Sequence, residues 1–367
     1  MTEPPPLHIA RYLLGFMAGL VLMFGLAWSY IATFPMTFLP SGYPVWAAKK
    51  YMLDHCDLGE IMEFGDLLLG AAIVSHGLPL VATNFSAGGV SPLDSYFLVQ
   101  KALACPNHPK RVILAFGVSD FLALQEAFWA NTVRFGIIGA EAIDDITDTA
   151  RRLGDSSFDE YITEDGLSGW PRNVLYQHHF PPIYFNSLLS GGFFLRAASN
   201  RALYADALAR RGQMPYRGLQ ATPPPNHNKP PPPGFHPLPI QIEYFERMVT
   251  ELAKAGVSID FIMIPVTPTR AAGLHANNLE RDFVSYLRDV EHRHPNFHLS
   301  QSAAPIWPDR EFVDGTHLHP DGAARFTRLL NDCLRMTSAD WQSGTYTRSC
   351  DFESEPATTE LGLTPAR

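Results

Sequence analysis

The sequence predicts an α/β domain, a three-layer arrangement with helices on both faces of a parallel sheet, carried behind one N-terminal transmembrane helix. Three observations predict it: a long uncharged apolar stretch near the N-terminus, five short apolar runs further on, and amphipathic segments between those runs. The composition fits a folded chain, since 46% of the residues are hydrophobic and 18% are charged. A formal net charge of -9 argues against a nucleic-acid-binding protein, which usually carries a basic face.

The N-terminal stretch between Arg11 and Lys49 contains no charged residue. Residues 12–33 within it are long enough as a helix to cross a bilayer, so we expect a retained span after a short cytoplasmic tail, residues 1–11. A buried core helix and a cleaved signal peptide are the alternatives. A core helix would carry a polar face, and a signal peptide would have a shorter apolar region and a small-residue cleavage site. The slightly positive tail favours a single pass through the cytoplasmic membrane with the main domain on the periplasmic side.

The strand predictions rest on short apolar runs separated by segments with apolar residues at helical spacing. The runs are residues 61–65, 80–85, 111–117, 258–264 and 297–300. Strands that alternate with helices indicate a parallel sheet covered on both faces. Sites in such sheets form at the carboxyl ends of the strands, so the loops after these runs are the places to search.

The remaining segments set the domain organisation. Residues 34–59 are expected to be a connector, residues 60–124 and 240–350 the α/β domain, and residues 125–239 an insertion. The insertion holds an apolar segment, residues 180–194, which would pack on the core, lie at the membrane surface or meet a partner. It ends in a proline-rich linker, residues 222–239, and the acidic tail, residues 351–367, is expected to be disordered.

The four cysteines lack the paired short spacings of a zinc site. Their even number permits two disulfides in an exported domain. Cys333 and Cys350 bracket a short C-terminal loop and are the more plausible pair, although spacing alone does not fix connectivity.

The strongest chemical signal is the segment FVDGTHLHPDGAARF, residues 312–326. Asp314 and His317 lie three residues apart in a loop before a helix that begins near Pro320. In an Asp-x-x-His loop the carboxylate holds the imidazole in one tautomer, and the other ring nitrogen can act as a base. A solvated Asp and His before a helix is the simpler alternative.

This loop resembles the last motif block of the SGNH (GDSL-like) hydrolase superfamily, in which the Asp and His of a catalytic triad share a DxxH motif. Three further blocks are similar in order and in placement after strands: residues 63–67 (EFGDL), 84–89 (NFSAGG) and 116–120 (FGVSD). The resemblance implies an SGNH/flavodoxin-like fold, with Gly88 or Gly89 and Ser119 as oxyanion donors. It places Leu67 where the family has its nucleophilic serine. The anchor and the insertion resemble the DltD-like and alginate-acetyltransferase-like branch, which acts on acyl groups of envelope polymers.

Leu67 cannot be a nucleophile, so the family's covalent mechanism requires a replacement. Ser86 and Ser91 on the neighbouring loop are the candidates, although such serines more often cap helices or turns. The tripeptide Gly154-Asp155-Ser156 spells the family's GDS but comes after the third strand, out of block order. No metal site and no cofactor are predicted, since no ligand cluster, phosphate loop or dinucleotide fingerprint is present in the sequence.

Three functional hypotheses follow. The first is an envelope-facing esterase or O-acyltransferase on an exopolysaccharide of the cellulose or alginate type, with Asp314 and His317 as the acid–base pair. The second is a non-catalytic relative that binds a glycan or an acylated chain. The third is an accessory subunit of a polysaccharide synthesis or acylation complex, partnered with a membrane-bound acyltransferase or synthase. Leu67 favours the last two, and the Asp314–His317 loop favours the first.

Overall fold

The computed structural model of the protein describes residues 6–39, 41–78, 80–124, 128–133, 135–158, 193–214, 233–334 and 352. Its α-helices are Pro6–Thr33, Pro35–Phe38, Gly42–Asp54, Leu67–Ala72, Pro92–Leu103, Ser119–Leu122, Ala140–Leu153, Phe193–Ala209, Pro239–Lys254, Pro268–Ala276, Leu279–Arg293 and Pro320–Leu334. Short 3-10 turns cover Ser75–Gly77, Ser156–Phe158 and Asp309–Glu311, and Phe128–Val133 is a π-helix.

Five parallel strands form one sheet in the order β2-β1-β3-β4-β5. The strands are β1 (Ile61–Gly65), β2 (Ala82–Asn84), β3 (Arg111–Ala115), β4 (Ser258–Phe261) and β5 (Phe297–Leu299). Each lies within a run that the sequence predicts, and β2, β3, β4 and β5 are shorter than their runs. The parallel sheet is therefore confirmed. Its strand order reverses at β1 and β3, so the crevice beyond the carboxyl ends of these two strands is where a site is expected.

The side chains of the central strands alternate between two cores. Met62 and Phe64 of β1 lie in the larger buried cluster with helices Pro92–Leu103, Pro239–Lys254 and Leu279–Arg293. Ile61 belongs to a smaller cluster on the other face, with helices Leu67–Ala72 and Pro320–Leu334. Because successive side chains of a strand point to opposite faces, the two clusters are the two faces of the sheet. Helices cover both faces, as the predicted layers require.

The N-terminal helix Pro6–Thr33 contains a stretch, Ile9–Ala27, of 19 residues that is long and apolar enough to cross a membrane. None of that stretch is buried inside the protein. A core helix of a soluble domain would be mostly buried, so this alternative does not fit. The exposed apolar surface is weakly consistent with a membrane anchor, and a signal peptide would share its length and position.

Residues 34–59, expected as a connector, contain the helices Pro35–Phe38 and Gly42–Asp54. Gly42 and Pro44 suggested irregular chain, but both lie in the first turn, where a missing proline N–H costs no helical hydrogen bond. Trp46 and Met52 of this helix are buried in the larger core. The segment that follows the apolar helix is therefore part of the folded domain.

The insertion contributes helices Ala140–Leu153 and Phe193–Ala209. The second of these packs on helix Gly42–Asp54, and Asn200 Nδ2 donates to the carbonyl oxygens of Met36 (2.8 Å) and Leu39 (2.9 Å). Residues 180–192 of the apolar segment and residues 222–232 of the proline-rich linker lie outside the described residues. In the expected tail, Phe352 is buried and its ring lies tilted against that of Phe326, with ring centroids 5.1 Å apart, so at this residue the tail packs on the core.

A disulfide joins Cys56 to Cys105. It links the residues just after helix Gly42–Asp54 to those just after helix Pro92–Leu103. The bridge therefore ties helix Gly42–Asp54 to a core helix of the sheet. The Cys333–Cys350 pair favoured by the sequence is not tested, because Cys350 lies outside the described residues.

Candidate active site at the carboxyl edge of the sheet

The loops that follow β1, β3 and β4 meet at one edge of the sheet because all five strands run in the same direction. The loop that holds Asp314 and His317 is joined to this edge by a hydrogen bond from Thr267 Oγ1 to the carbonyl oxygen of Gly315 (3.3 Å). Thr267 caps helix Pro268–Ala276, which follows β4. The DxxH loop and the strand ends therefore form one region.

Asp314 and His317 form the pair that the sequence predicts from their spacing. The imidazole Nδ1 lies 2.8 Å from Asp314 Oδ2 and 3.0 Å from Oδ1. The same carboxylate accepts hydrogen bonds from the backbone N–H of His317 (2.8 Å) and from Thr316 Oγ1 (2.9 Å). Because Asp314 engages Nδ1, proton exchange between His317 and a substrate would take place at Nε2.

The pKa of Asp314 is held well below its usual range. Partial burial alone would raise it, but the backbone and side-chain hydrogen bonds from His317 and Thr316, together with the charge of His317, stabilise the carboxylate more strongly. Asp314 is therefore ionised at any pH at which the domain is expected to fold. An ionised partner is what an imidazole needs to be held in one tautomer and to carry a proton.

The turn after β1 is shaped by Asp66, which begins helix Leu67–Ala72. Its Oδ1 accepts hydrogen bonds from the backbone N–H groups of Leu68 (2.9 Å) and Leu69 (3.4 Å), the usual role of an aspartate N-cap. Leu67 follows as the first helical residue. A Cβ placed on Gly88 would lie 3.8 Å from Leu67 Cδ2, so the leucine side chain contacts the loop after β2.

Three further charged groups surround this turn. Asp66 interacts electrostatically with Arg270 and with His317, and Asp120 interacts with Asp66 and Arg270. Burial raises the pKa of Asp66, and burial together with the charge of Asp66 raises the pKa of Asp120 well above its usual value. Two carboxyl groups, one guanidinium and the Asp314–His317 pair therefore act on one another at the candidate site.

Arg270 is the functional candidate that the sequence analysis missed. It lies on helix Pro268–Ala276 after β4, and its Nη2 would be 3.9 Å from a Cβ built on Gly117 after β3. The available signal was its position: a basic residue at the start of the helix that follows a predicted strand faces the carboxyl edge of the sheet.

A cavity of about 340 Å³ opens beside these groups between the ends of β3 and β4 and helices Pro268–Ala276 and Leu279–Arg293. Asp66, Ser119, Arg270 and Glu280 are its polar lining residues. Its volume falls within the range of about 300–1,000 Å³ typical of small-ligand sites.

The proposed replacement nucleophiles are placed unfavourably for catalysis. Ser91 is buried and forms a capping box with Asp94: its Oγ lies 2.7 Å from Asp94 Oδ2, and its N–H donates to the same oxygen at 2.9 Å. Ser86 is fully buried, and its Oγ has no hydrogen-bond partner among the described residues. Ser119 is exposed and lines the cavity, so of the three serines it is the one within reach of a ligand there.

Gly88 and Gly89, the predicted oxyanion donors, lie in the turn between β2 and helix Pro92–Leu103. Gly89 has φ 73°, a left-handed conformation that favours glycine. Within the described part of the chain neither N–H donates a hydrogen bond to another group. These N–H groups can therefore serve an oxyanion that develops near Leu67.

Gly154-Asp155-Ser156 has a structural role instead. Gly154 ends helix Ala140–Leu153 with φ 65°. Asp155 Oδ1 accepts from the Ser157 N–H (2.9 Å), and its Oδ2 accepts from the Ile240 N–H at the start of helix Pro239–Lys254 (2.9 Å). These contacts account for the carboxylate without a catalytic role.

A buried polar cluster behind the loop after β2 was also missed. Lys49 Nζ donates to the carbonyl oxygens of Asn84 (2.9 Å) and Ser86, and Asn84 Nδ2 donates to Glu63 of β1. Burial lowers the pKa of Lys49 to about 7 and raises that of Glu63 to about 8. The cluster fixes the backbone of the loop that contains Gly88.

Comparisons with known proteins add no identity. Neither a family model nor a curated protein sequence matches the chain significantly. Among the described residues, no group of three or more His, Cys, Asp or Glu side chains is arranged to hold a metal ion. The functional argument therefore rests on the geometry at the carboxyl edge of the sheet.

Proposed function

We propose that this chain is a membrane-anchored, envelope-facing protein of the SGNH-hydrolase type that acts in acylation or deacylation of an exopolysaccharide. The observation that carries the proposal is the Asp314–His317 pair, in which Asp314 Oδ2 lies 2.8 Å from His317 Nδ1. The charge of His317 also acts on Asp66, at the turn where the resembling family has its nucleophile. The strand order β2-β1-β3-β4-β5, the flavodoxin-like order, supports the fold that this family would require.

The proposed location outside the cytoplasm has two supports. The exposed apolar helix Pro6–Thr33 can serve as the anchor. The Cys56–Cys105 disulfide is of the kind that persists in the periplasm and outside the cell and is rare in the cytoplasm. A single-pass protein in the inner membrane with a periplasmic domain would satisfy both.

The proposed chemistry uses water or a substrate hydroxyl in place of a protein nucleophile. His317 Nε2 takes the proton of that hydroxyl while its oxygen bonds to the carbonyl carbon of an ester. The negative charge that develops on the carbonyl oxygen is stabilised by the N–H groups of Gly88 and Gly89. The ester C–O bond then breaks, and the leaving alcohol receives the proton from His317. Asp314 stabilises the imidazolium in between.

The second candidate is a non-catalytic glycan-binding or accessory subunit of a polysaccharide synthesis or acylation complex. Leu67 favours it, because a leucine at this turn cannot form the acyl-enzyme of the family mechanism. In this case a membrane-bound acyltransferase or synthase would be the catalytic partner.

The test is ester hydrolysis by the full chain in lipid nanodiscs, with p-nitrophenyl acetate and an acetylated oligosaccharide as substrates. We expect His317→Ala to lower turnover by about 10²- to 10⁴-fold, the usual contribution of a general base. Ser86→Ala, Ser91→Ala and Ser119→Ala should leave turnover within about threefold if water or a substrate hydroxyl is the nucleophile. Loss in one serine variant would instead identify a protein nucleophile. Absence of turnover above the His317→Ala background, in a folded protein, would favour the accessory subunit.

A further inference from the structure

The cavity beside the candidate site is lined mainly by aliphatic and aromatic side chains. They come from the ends of β3 and β4 and from the two helices that follow β4: Phe116, Leu122, Ile262, Met263, Ile264, Val266, Leu274, Leu279 and Phe283. A sugar ring would leave its hydroxyl groups without partners against such walls, and that costs free energy. An alkyl chain would lose no hydrogen bond and would gain burial.

The acidic groups of the cavity are engaged by the protein. Asp66 accepts from two backbone N–H groups of its own helix. Glu280 accepts from the Ala304 N–H (2.7 Å) and lies 2.7 Å from His275 Nε2. Both oxygens of Glu280 and Oδ1 of Asp66 therefore hold helix ends and loops.

Arg270 is different from these acids. Within the described residues its guanidinium has no hydrogen-bond or ion-pair partner, although it lines the cavity and is partly buried. A guanidinium offers five N–H donors in a planar fork, so it is suited to receive an oxygen atom of a ligand. It lines the same cavity as Asp66, and its charge acts on that carboxyl group.

The charge balance indicates which oxygen Arg270 would receive. Asp66 and Glu280 line the cavity, so two acidic side chains share it with the single arginine, even without Asp120, whose pKa is raised well above its usual value. An anionic ligand would meet these carboxyl groups at short range. A neutral carbonyl oxygen can accept the hydrogen bond of Arg270 without that repulsion.

From these observations we infer that the cavity binds the acyl group of a neutral ester, with a chain of about six to eight carbons in the apolar part. Its carbonyl oxygen accepts from Arg270 in addition to the N–H groups of Gly88 and Gly89. The estimate of length comes from volume: about 340 Å³ equals roughly eleven water volumes of about 30 Å³ each, so an acyl chain of about six to eight carbons and the two oxygens of its ester fit within it. The inference rests on the proposed function for the position of the ester bond, and it extends that function from acetyl to medium-chain acyl groups.

The test is calorimetric binding of a chain-length series to the full chain in nanodiscs, with empty nanodiscs as the background. The probes are glucose esters of acetate, butanoate, hexanoate and octanoate, together with octyl glucoside and free octanoate. The wild-type protein is compared with His317→Ala, which removes turnover during titration. We expect Kd to fall about fourfold for each added methylene up to about eight carbons.

Two variants separate the chain from the carbonyl. Ala304 lines the cavity, and Ala304→Leu fills part of it. This variant should reduce the ratio of the acetyl-glucose Kd to the hexanoyl-glucose Kd at least tenfold, while the Kd for acetyl glucose stays within about twofold. Arg270→Met should weaken binding of every ester about tenfold and leave octyl glucoside, which has no carbonyl, unchanged. Arg281→Met, a charge removal on an exposed helix surface, is the matched control and should change neither.

Equal affinity for acetyl and octanoyl glucose, or tighter binding of octanoate than of its ester, would overturn the inference. If every variant keeps the chain-length preference, the probes bind to the lipid and the inference is overturned as well. Chain-length-dependent binding without turnover would support the acyl cavity while contradicting catalysis. Turnover of acetyl esters without a chain-length preference in binding would support catalysis and contradict the acyl cavity. The two proposals therefore fail independently.

Discussion

Glu63 is a carboxyl group on a central strand of the sheet, and its replacement by glutamine tests how the polar cluster behind the site is charged. The side chain is fully buried, receives a hydrogen bond from Asn84 Nδ2 and faces Lys49, the charged group that interacts with it. Glutamine has nearly the same shape and still offers an oxygen to Asn84. Glu63→Gln therefore removes the ability to ionise with little change in packing.

Burial raises the pKa of Glu63 from an ordinary value of 4.5 to about 8. Between these values the folded protein binds a proton that the unfolded chain releases, so the stability contributed by Glu63 is complete below about pH 4.5 and is lost as the pH rises through 8. One pKa unit corresponds to about 1.4 kcal/mol, which gives an upper limit of about 5 kcal/mol for the whole range. That pKa already includes the attraction of Lys49. The pKa of Lys49 is itself lowered to about 7, so its contribution to stability rises above that pH, and we expect a net loss of about 2 to 3 kcal/mol between pH 5 and pH 8.

The assay is guanidinium unfolding of the full chain in nanodiscs, followed by tryptophan fluorescence at pH 5, 6.5 and 8. Wild type should lose stability over this range, and Glu63→Gln should lose much less. Glu60→Gln is the matched control, because Glu60 is an exposed glutamate just before the same strand. The same pH dependence in wild type and in Glu63→Gln would refute the reasoning.

Four further predictions concern single contacts. Replacing Cys56 and Cys105 by alanine opens a loop with a sequence separation of 49, and loop entropy predicts a loss of about 4 kcal/mol in the free energy of unfolding, measured by denaturant titration with and without reductant. Ser91→Ala should cost about 1 kcal/mol through the lost helix cap and leave ester hydrolysis unchanged; a loss of turnover in a stable variant would contradict the capping role. Asp314→Asn should lower the melting temperature most at pH 7 and less near pH 2, because the stability contributed by a carboxylate with a lowered pKa is complete above the pKa of the unfolded chain and is lost as the pH falls toward the folded pKa. Leu67→Ser should raise p-nitrophenyl acetate hydrolysis at least tenfold, but not when combined with His317→Ala, at a cost of about 1 kcal/mol for the half-buried leucine; equal rates in both backgrounds would show that His317 does not face this turn.

The strands could be predicted because their signal is local. Each is a short run of buried apolar residues bounded by polar or turn-forming ones, and β1 covers the predicted residues 61–65. The spacing of Asp314 and His317 is equally local, since three residues in one loop suffice to bring a carboxylate to an imidazole. Both predictions needed no knowledge of which distant segments meet.

The other charged groups of the site depend on such distant contacts. Arg270 follows β4 and Asp120 follows β3, more than a hundred residues apart, and the sheet order alone brings them together. Glu63 lies within an apolar run, and its partner Lys49 lies in a segment expected to be a connector. The pattern of neither segment predicts that the two side chains meet. The partner of a buried charge is set by packing, so the pattern of a single segment does not reveal it.

Lys49 connects the segment that follows the apolar N-terminal helix with the candidate site. Its helix, Gly42–Asp54, follows the apolar helix closely, and its ammonium group holds the backbone carbonyls of Asn84 and Ser86, two to four residues before Gly88. The oxyanion donors proposed for Gly88 and Gly89 therefore lie on a loop whose backbone is fixed by a residue of the helix that follows the apolar segment. A chain shortened to begin at Lys49 would lack the first turns of this helix and the packing of Trp46. Absence of activity in such a fragment would say nothing about the intact site, and for this reason activity and ligand binding have to be measured on the full chain.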